Sequence, residues 1–201
     1  MKREPLRTVF FVVISLFLMG VAAHAQTYIF GRADVSAGGA PTAIASGDFN
    51  GDGISDIAVT NSSDNVSILL GTGGGTYAPQ VTYPTGPGPL AIVTADFNGD
   101  GNLDLAVANE NCTPNPRGPP DCSSGTVSIL LGNGDGTFQP HVDYPVFGQS
   151  IVAADFNGDG KLDLAVASGG GVTVLLGNGN GTFQAGVIYD TGGVRGGRGG
   201  R

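Results

Sequence analysis

The sequence predicts an all-β protein made of β-propeller blades, and three observations lead to this fold class. One pattern occurs three times, and each copy carries an acidic stretch that begins at Asp48, Asp96 or Asp155. Each copy contains four short runs of apolar or alternating residues separated by Gly, Asn and Asp, which is typical of strands and turns. No stretch of residues 26–201 keeps the 3.6-residue apolar period of a helix. Four-stranded antiparallel units that repeat every ~40–50 residues are typical of propeller blades.

The N-terminal segment, residues 1–25, is predicted to be a secretory signal peptide. A basic start is followed by an apolar run at 8–23 and by the small-x-small site Ala-His-Ala at 23–25. We expect cleavage after Ala25 and an extracytoplasmic location. The alternative is an uncleaved membrane anchor, but the run is shorter than the ~20 apolar residues that a span needs. No later stretch could cross a membrane, so no membrane insertion is expected after the signal is removed.

Three repeats are predicted between residues 26 and 191, at about 42–89, 90–148 and 149–191. In each repeat, a first strand such as "AIASGDF" precedes the acidic loop, and "DIAVTN" or "LDLAVAN" follows it. The third strand is "VSILLG" or its equivalent, and the fourth is the more polar run typified by "TFQPHVDY". The turns "GNGDGT" and "GNGNGT" supply residues that tolerate positive φ. An extra strand at 27–36 is similar to the fourth strand of a preceding blade.

The second repeat is longer than the others because it contains an insertion between Cys112 and Cys122. Since an exported protein enters an oxidising compartment, these cysteines are predicted to form a disulfide that closes a surface loop. The alternative is two free thiols. The insertion also holds Arg117 and several prolines, and we take it as a candidate contact for a partner; the alternative is a tolerated surface insertion.

The three acidic stretches follow the pattern D-x-N-x-D-G-x-x-D, which places oxygen ligands at positions 1, 3, 5 and 9 and a backbone carbonyl at position 7. Calcium takes several such hard oxygen ligands in flexible geometry. The predicted ligands are Asp48, Asn50, Asp52, the carbonyl of Ile54 and Asp56 in the first loop; Asp96, Asn98, Asp100, the carbonyl of Asn102 and Asp104 in the second; and Asp155, Asn157, Asp159, the carbonyl of Lys161 and Asp163 in the third.

These loops differ from an EF-hand, which needs a Glu at position 12, where this chain has Val59, Val107 and Val166. The sequence therefore predicts about three calcium ions with a structural role, each linking two strands. The alternatives are an Asx-rich turn without metal, or magnesium, which prefers a smaller octahedral site. The aromatic residues Phe49, Phe97 and Phe156 at position 2, and Tyr77, Phe138 and Phe183 after the "G-T" step, are expected to pack between blades.

The charge of the chain excludes several functions. The formal net charge is −8, which disfavours nucleic acid and anionic membranes. The Gly/Arg-rich segment at 192–201 is formally similar to RNA-binding tails, but in an exported chain a disordered tail or a truncated reading frame is the better interpretation. No catalytic residues are predicted, because His141 is the single histidine after residue 25 and paired carboxylates occur only in the loops.

Together, "DFNGDGxxDLAV" and "LLGNGDGTF" resemble the FG-GAP/VCBS repeat family, which includes the integrin α-subunit propellers. The resemblance covers about residues 27–191. It implies a non-catalytic module that binds or adheres to an extracellular protein or glycan. Two alternatives stay open: a calcium-stabilised assembly module, and a propeller segment accessory to a larger extracellular enzyme.

Three blades are fewer than the ~4–8 that close a propeller. Two hypotheses follow. The chain is a fragment of a longer propeller, or two chains pair as a homo-oligomer that completes a six-bladed ring and covers the bare sheet edges.

Overall fold

The protein was analysed as a computed structural model. It describes residues 36–113, 115–118, 121–168 and 170–191. The predicted signal peptide, nearly all of the predicted strand at 27–36 and the tail at 192–201 lie outside these residues. Among the described residues, no helix is long and apolar enough to span a bilayer.

The described chain consists of three four-stranded antiparallel sheets, which confirms the predicted blades. Blade 1 contains β1 (Pro41–Gly47), β2 (Asp56–Asn61), β3 (Asn65–Leu69) and β6 (Val81–Pro84), with the small hairpin β4 (Gly71–Gly73) and β5 (Thr76–Tyr77) between the last two. Blade 2 contains β7 (Pro89–Ala95), β8 (Asp104–Thr113), β9 (Asp121–Leu130) and β10 (Val142–Tyr144). Blade 3 contains β11 (Ser150–Ala154), β12 (Asp163–Ser168), β13 (Gly171–Leu175) and β14 (Val187–Tyr189).

Each blade is a simple meander in which every strand pairs with the next one in its blade. The second and third strands are central and mostly buried, since both of their faces pack against neighbours. This explains why they are continuous apolar runs rather than alternating ones. The fourth strands lie at the edge of the sheets, and all three residues of β14 are exposed.

The fourth strand is shorter than the sequence predicts. The run "TFQPHVDY" was expected to be one strand, but only Val142–Tyr144 pairs with β9. Its first residues turn back instead, and Phe138 forms a bridge with Gly132, as Phe183 does with Gly177 in blade 3. Two features of the sequence account for this. The glycine-rich turn closes a tight hairpin, and Pro140 cannot donate a ladder hydrogen bond.

The apolar core lies between blades. Phe49 at the start of the first loop meets Phe138 of blade 2 edge to face at 5.5 Å between ring centroids. Phe97 meets Phe183 of blade 3 in the same way at 5.6 Å. Each plug is completed by a tyrosine from the fourth strand of the earlier blade, since Tyr83 lies 5.5 Å from Phe138 and Tyr144 lies 5.7 Å from Phe183. The expectation that the position 2 aromatics pack between blades is confirmed at both of these interfaces.

The contribution of these plugs can be measured with a matched pair of substitutions. Phe97 is 3% exposed, whereas Phe156 occupies the equivalent position in the third loop and is 48% exposed. Phe97→Ala should lower the free energy of unfolding by about 3–5 kcal/mol, since it leaves a cavity among buried side chains. Phe156→Ala should cost about 1 kcal/mol or less. Urea unfolding at low protein concentration checks this, and equal losses for the two variants would contradict it.

The insertion in blade 2 extends a hairpin rather than forming a long loop. The β8–β9 ladder runs out to the pair Thr113 and Asp121, so both cysteines lie within strands. A disulfide joins Cys112 and Cys122, which confirms the predicted pairing. Arg117 lies at the exposed tip of this hairpin.

Candidate metal centres and the crevice between blades

The three predicted metal loops connect the first and second strands of their blades and repeat one hydrogen-bonding scheme. At position 1, the backbone N–H of Gly51 donates to Oδ1 of Asp48 at 2.8 Å, and the N–H of Gly53 donates to Oδ2 at 2.8 Å. Asp96 and Asp155 accept from the equivalent glycines. The donation from Gly53 is the main reason why the pKa of Asp48 is lowered. This carboxylate is therefore oriented by the loop backbone and held in its charged form.

Positions 3 and 5 are linked side by side at the surface. In the first loop, Nδ2 of Asn50 donates to Oδ2 of Asp52 at 2.9 Å, and the N–H of Ile54 donates to Oδ1 of Asp52 at 2.8 Å. The second and third loops make the same contacts. Gly53 between them has φ of +82°, a left-handed conformation that favours glycine. The position 6 glycine thus serves the sharp turn that the sequence predicts.

The aspartate at position 9 differs from the other two because it is fully buried. Asp56, Asp104 and Asp163 are all 0% exposed. Oδ2 of Asp104 accepts the N–H of Phe97 at 2.9 Å, and Oδ1 accepts the N–H of Gly132 at 2.8 Å. The other two blades repeat both contacts. This carboxylate ties the loop to the residue that follows the third strand.

The sequence analysis missed this second role of position 9 and the glycine that it requires. The signal is the glycine that ends "LLG" in every copy, at Gly71, Gly132 and Gly177. A Cβ on Gly71 would lie 2.6 Å from the carbonyl oxygen of Ser55, and Gly132 and Gly177 approach the carbonyls of Leu103 and Leu162 even more closely. A glycine is needed there because the backbone of the loop and that of the third strand are in contact.

A substitution at this contact should therefore be costly. Gly132→Ala places a Cβ against the Leu103 carbonyl oxygen, and we expect a loss of about 1–3 kcal/mol in the free energy of unfolding. The control is Gly170→Ala, because a Cβ at Gly170 meets no atom within 4 Å. Chemical denaturation of both variants measures the difference. A Gly132→Ala variant as stable as Gly170→Ala would contradict this account.

The loops fit a hard dication by the chemistry of their donors. All side-chain donors are carboxylate or amide oxygens, which calcium prefers. Burial is the main cause that raises the pKa of Asp104, the N–H groups of Gly132 and Phe97 oppose it, and the charges of Asp100 and Asp96 raise it further. The three carboxylates of this loop therefore repel one another, and a bound cation would relieve that repulsion.

The position 7 side chains, Ile54, Asn102 and Lys161, share no chemistry, so this position could supply only its backbone carbonyl. Among the described residues, the grouping of His, Cys, Asp or Glu whose ligand atoms all lie within 4.8 Å of one another is Glu110, Cys112 and Cys122. Its two sulfurs are bonded to each other, which leaves one carboxylate. The carboxylates of each loop are spaced more widely than this.

Two other polar groups singled out from the sequence have structural contacts. Asp135 accepts hydrogen bonds from the backbone and hydroxyl of Thr137, so it shapes its turn. Nδ1 of His141 lies 2.9 Å from Oδ1 of Asp143, which also accepts the Ser128 hydroxyl at 2.6 Å. In this row the serine contacts the aspartate rather than the histidine, whereas nucleophilic catalysis needs a serine that contacts its base.

A polar crevice of about 210 Å³ separates the second and third loops. One wall carries Asp96 and Phe97 of blade 2, and the other carries Lys161 and Asn178 of blade 3. The remaining lining is backbone of Gly99, Gly160, Leu162 and Gly179. An anion, a cation and an amide thus surround one small space whose walls are held by the metal loops.

Comparison with known families finds a clear match. The profile described as the FG-GAP-like repeat matches residues 48–107, 121–166 and 155–200, and the profile described as the FG-GAP repeat matches 88–130. No curated protein matches the chain.

Solved structures with a similar fold include a lectin of Agrocybe aegerita, described as recognising non-reducing terminal N-acetylglucosamine. It superposes with a TM-score of 0.50 and 25% identity over 74% of this chain. The chain spans 38% of the length of that lectin chain. The Photorhabdus luminescens Tc holotoxin pore also matches, with a TM-score of 0.42 and 19% identity, over 74% of this chain and 7% of the toxin chain.

Proposed function

Because the chain belongs to the FG-GAP-like repeat family, we propose that it is a secreted, calcium-stabilised propeller module that binds a glycan without catalysis. The β-propeller of a binding type is the frame for this function. Its ligand, its metal and its location are the proposal.

The crevice between blades 2 and 3 is the observation that carries the glycan assignment. It offers a carboxylate, an ammonium group and an amide within one small space, and hydroxyl groups of a sugar pair with such donors and acceptors. The likeness to a lectin that recognises terminal N-acetylglucosamine supports the same class of ligand.

Calcium has a structural role in this proposal. The position 1, 3, 5 and 9 side chains of each loop and the position 7 carbonyl would hold one ion, whose charge offsets the repulsion among the carboxylates. The crevice depends on this indirectly, since Asp96 is a position 1 residue and Lys161 is a position 7 residue. Export is supported by the disulfide, which forms and persists in oxidising compartments.

A protein partner is the second candidate. The observation that favours it is the disulfide-bonded tip of the β8–β9 hairpin, which places Arg117 in solvent. Arginine and exposed loop tips are common in protein contacts. A structural assembly module and an accessory segment of a larger enzyme stay open as further alternatives.

The test is binding of an N-acetylglucosamine-terminated oligosaccharide, measured by calorimetry in calcium and in chelator. Lys161→Ala removes the ammonium group from the crevice and keeps the position 7 carbonyl, and we expect affinity to fall by ~10-fold or more. Ile54→Ala is the control, because it changes the same position in the first loop, away from this crevice. No binding to this probe or to any member of a glycan array would overturn the glycan proposal. Loss of partner capture on Arg117→Ala would then support the protein alternative.

A further inference from the structure

We propose that two copies of this chain join head to tail, with the open face of blade 3 in one copy docked on the open face of blade 1 in the other. Two such contacts close a ring from two chains. The inference stands apart from the glycan proposal, since it rests on the sheet faces and not on the crevice.

The two interfaces inside the chain show what a blade face needs. Blade 1 presents to blade 2 an apolar face made of Phe49, Ala58, Val66, Ile68, Leu70 and Tyr83. Blade 2 presents the equivalent face to blade 3, made of Phe97, Ala106, Val127, Ile129, Leu131 and Tyr144. In both cases the next blade covers it, so that Phe49 and Phe97 are 2% and 3% exposed.

Blade 3 has the same face with no blade against it in the chain. The equivalent positions are Phe156, Ala165, Val172, Val174, Leu176 and Tyr189, which together line an open groove of about 500 Å³. Phe156 is 48% exposed and Tyr189 is 58% exposed. A groove of this apolar character on a sheet face is typical of an interaction site.

The covering element at each internal interface is a glycine-rich hairpin with an aromatic residue. Phe138 inserts between Phe49 and Tyr83. The backbone N–H of Gly136 donates to the Phe49 carbonyl oxygen at 2.9 Å. A Cβ on Gly136 would lie 2.7 Å from Leu70, so this glycine is needed for the close approach.

Blade 1 carries the same covering element, and nothing occupies its contacts. Tyr77 stands at the position of Phe138, and Gly75 at that of Gly136. A Cβ on Gly75 would meet no atom within 4 Å. Tyr77 and the 67% exposed Ile44 line one shallow depression on this face. In the ring, Tyr77 enters the groove beside Phe156, and the N–H of Gly75 donates to the Phe156 carbonyl of the other copy.

Continuity with the internal interfaces favours a second copy as the occupant. At each internal boundary, a new first strand starts shortly after the fourth, as β7 follows β6 and β11 follows β10. After β14, residues 192–201 consist of glycine, valine and arginine, so they do not repeat that strand. Two chains supply six blades, within the ~4–8 that close a propeller. Because the contact is head to tail, closure depends on a rotation that two copies complete.

The experiment is the mass of the full chain, expressed for secretion and recovered in calcium without any glycan. Light scattering should give the mass of two chains. Phe156→Asp and Tyr77→Asp each place a charge in the contact and should weaken association by ~100-fold or more, giving single chains. Val142→Asp is the control, since Val142 is 59% exposed on β10, outside both faces, and it should stay paired. Circular dichroism of each variant verifies the fold.

Mixing provides the decisive arm. The Phe156→Asp chain keeps an intact blade 1 face, and the Tyr77→Asp chain keeps an intact blade 3 face, so an equimolar mixture should recover a two-chain species. A single-chain mass for the unchanged protein, or an open series of larger masses, would overturn the proposal. So would variants that stay paired, or a mixture that stays as single chains. If one variant does not fold, the other carries the test, because either substitution removes both contacts of the ring.

Discussion

Asp104→Ala is expected to lower the free energy of unfolding by about 4 kcal/mol, even without calcium. The side chain is fully buried and accepts the N–H groups of Phe97 and Gly132. Alanine would leave both donors in the core without partners, at a cost of about 1–3 kcal/mol each. Loss of this aspartate also removes one predicted calcium ligand, so the deficit should grow when calcium is present.

Asp100→Ala is the matched control for this effect. Asp100 belongs to the same loop and is also a predicted ligand, but it is exposed and its partners lie within the loop. Urea unfolding in chelator should leave Asp100→Ala close to the unchanged protein, whereas Asp104→Ala stays strongly destabilised. In calcium, both variants should lose stability. Indistinguishable curves for the two variants in chelator would refute the distinct role of position 9.

Removal of calcium is expected to lower the melting temperature by about 15–30 °C. A ligand at 100 times its dissociation constant stabilises the folded state by about 2.7 kcal/mol per site. Three sites would then contribute about 8 kcal/mol, and each kcal/mol moves the melting temperature of a domain of this size by about 2–4 °C. The physical source is the relief of repulsion among the loop carboxylates.

Scanning calorimetry in calcium, in magnesium and in chelator measures this shift. Magnesium should restore less of the melting temperature than calcium, since it prefers a smaller octahedral site. Isothermal titration should give about three ions per chain. An unchanged melt in chelator, together with no heat of binding, would mean that the loops are Asx-rich turns whose hydrogen bonds suffice without metal.

Much of the fold could be predicted because it repeats. A pattern that occurs three times fixes the blade boundaries and the strand order, and the recurrence of Phe49 and Phe97 indicated a role between blades. The fourth strand was predicted too long because its residues have strand-like composition throughout. Only the structure shows that residues such as Phe138 turn back toward the preceding glycine, since this depends on where the hairpin meets the neighbouring blade.

The site was predicted less completely for a related reason. The pattern of the loop identifies oxygen donors, but it does not say which of them face the core. Asp56 and Asp52 look alike in sequence, yet one is buried on two backbone N–H groups and the other is exposed. The distinction comes from the third strand, whose contact with the loop is set by tertiary packing. Glycine at the end of "LLG" is the one local sign of it.

The hydrogen bond from the hairpin of one blade to the loop of the blade before it has a thermodynamic consequence. Gly136 holds the Phe49 carbonyl, and Gly181 holds the Phe97 carbonyl, so ordering one loop also orders the seat of the next hairpin. In a linear array, such nearest-neighbour terms make occupancy cooperative. Partly loaded chains should then be scarce at intermediate calcium concentrations, and the blades should respond to calcium as a single switch rather than as independent sites.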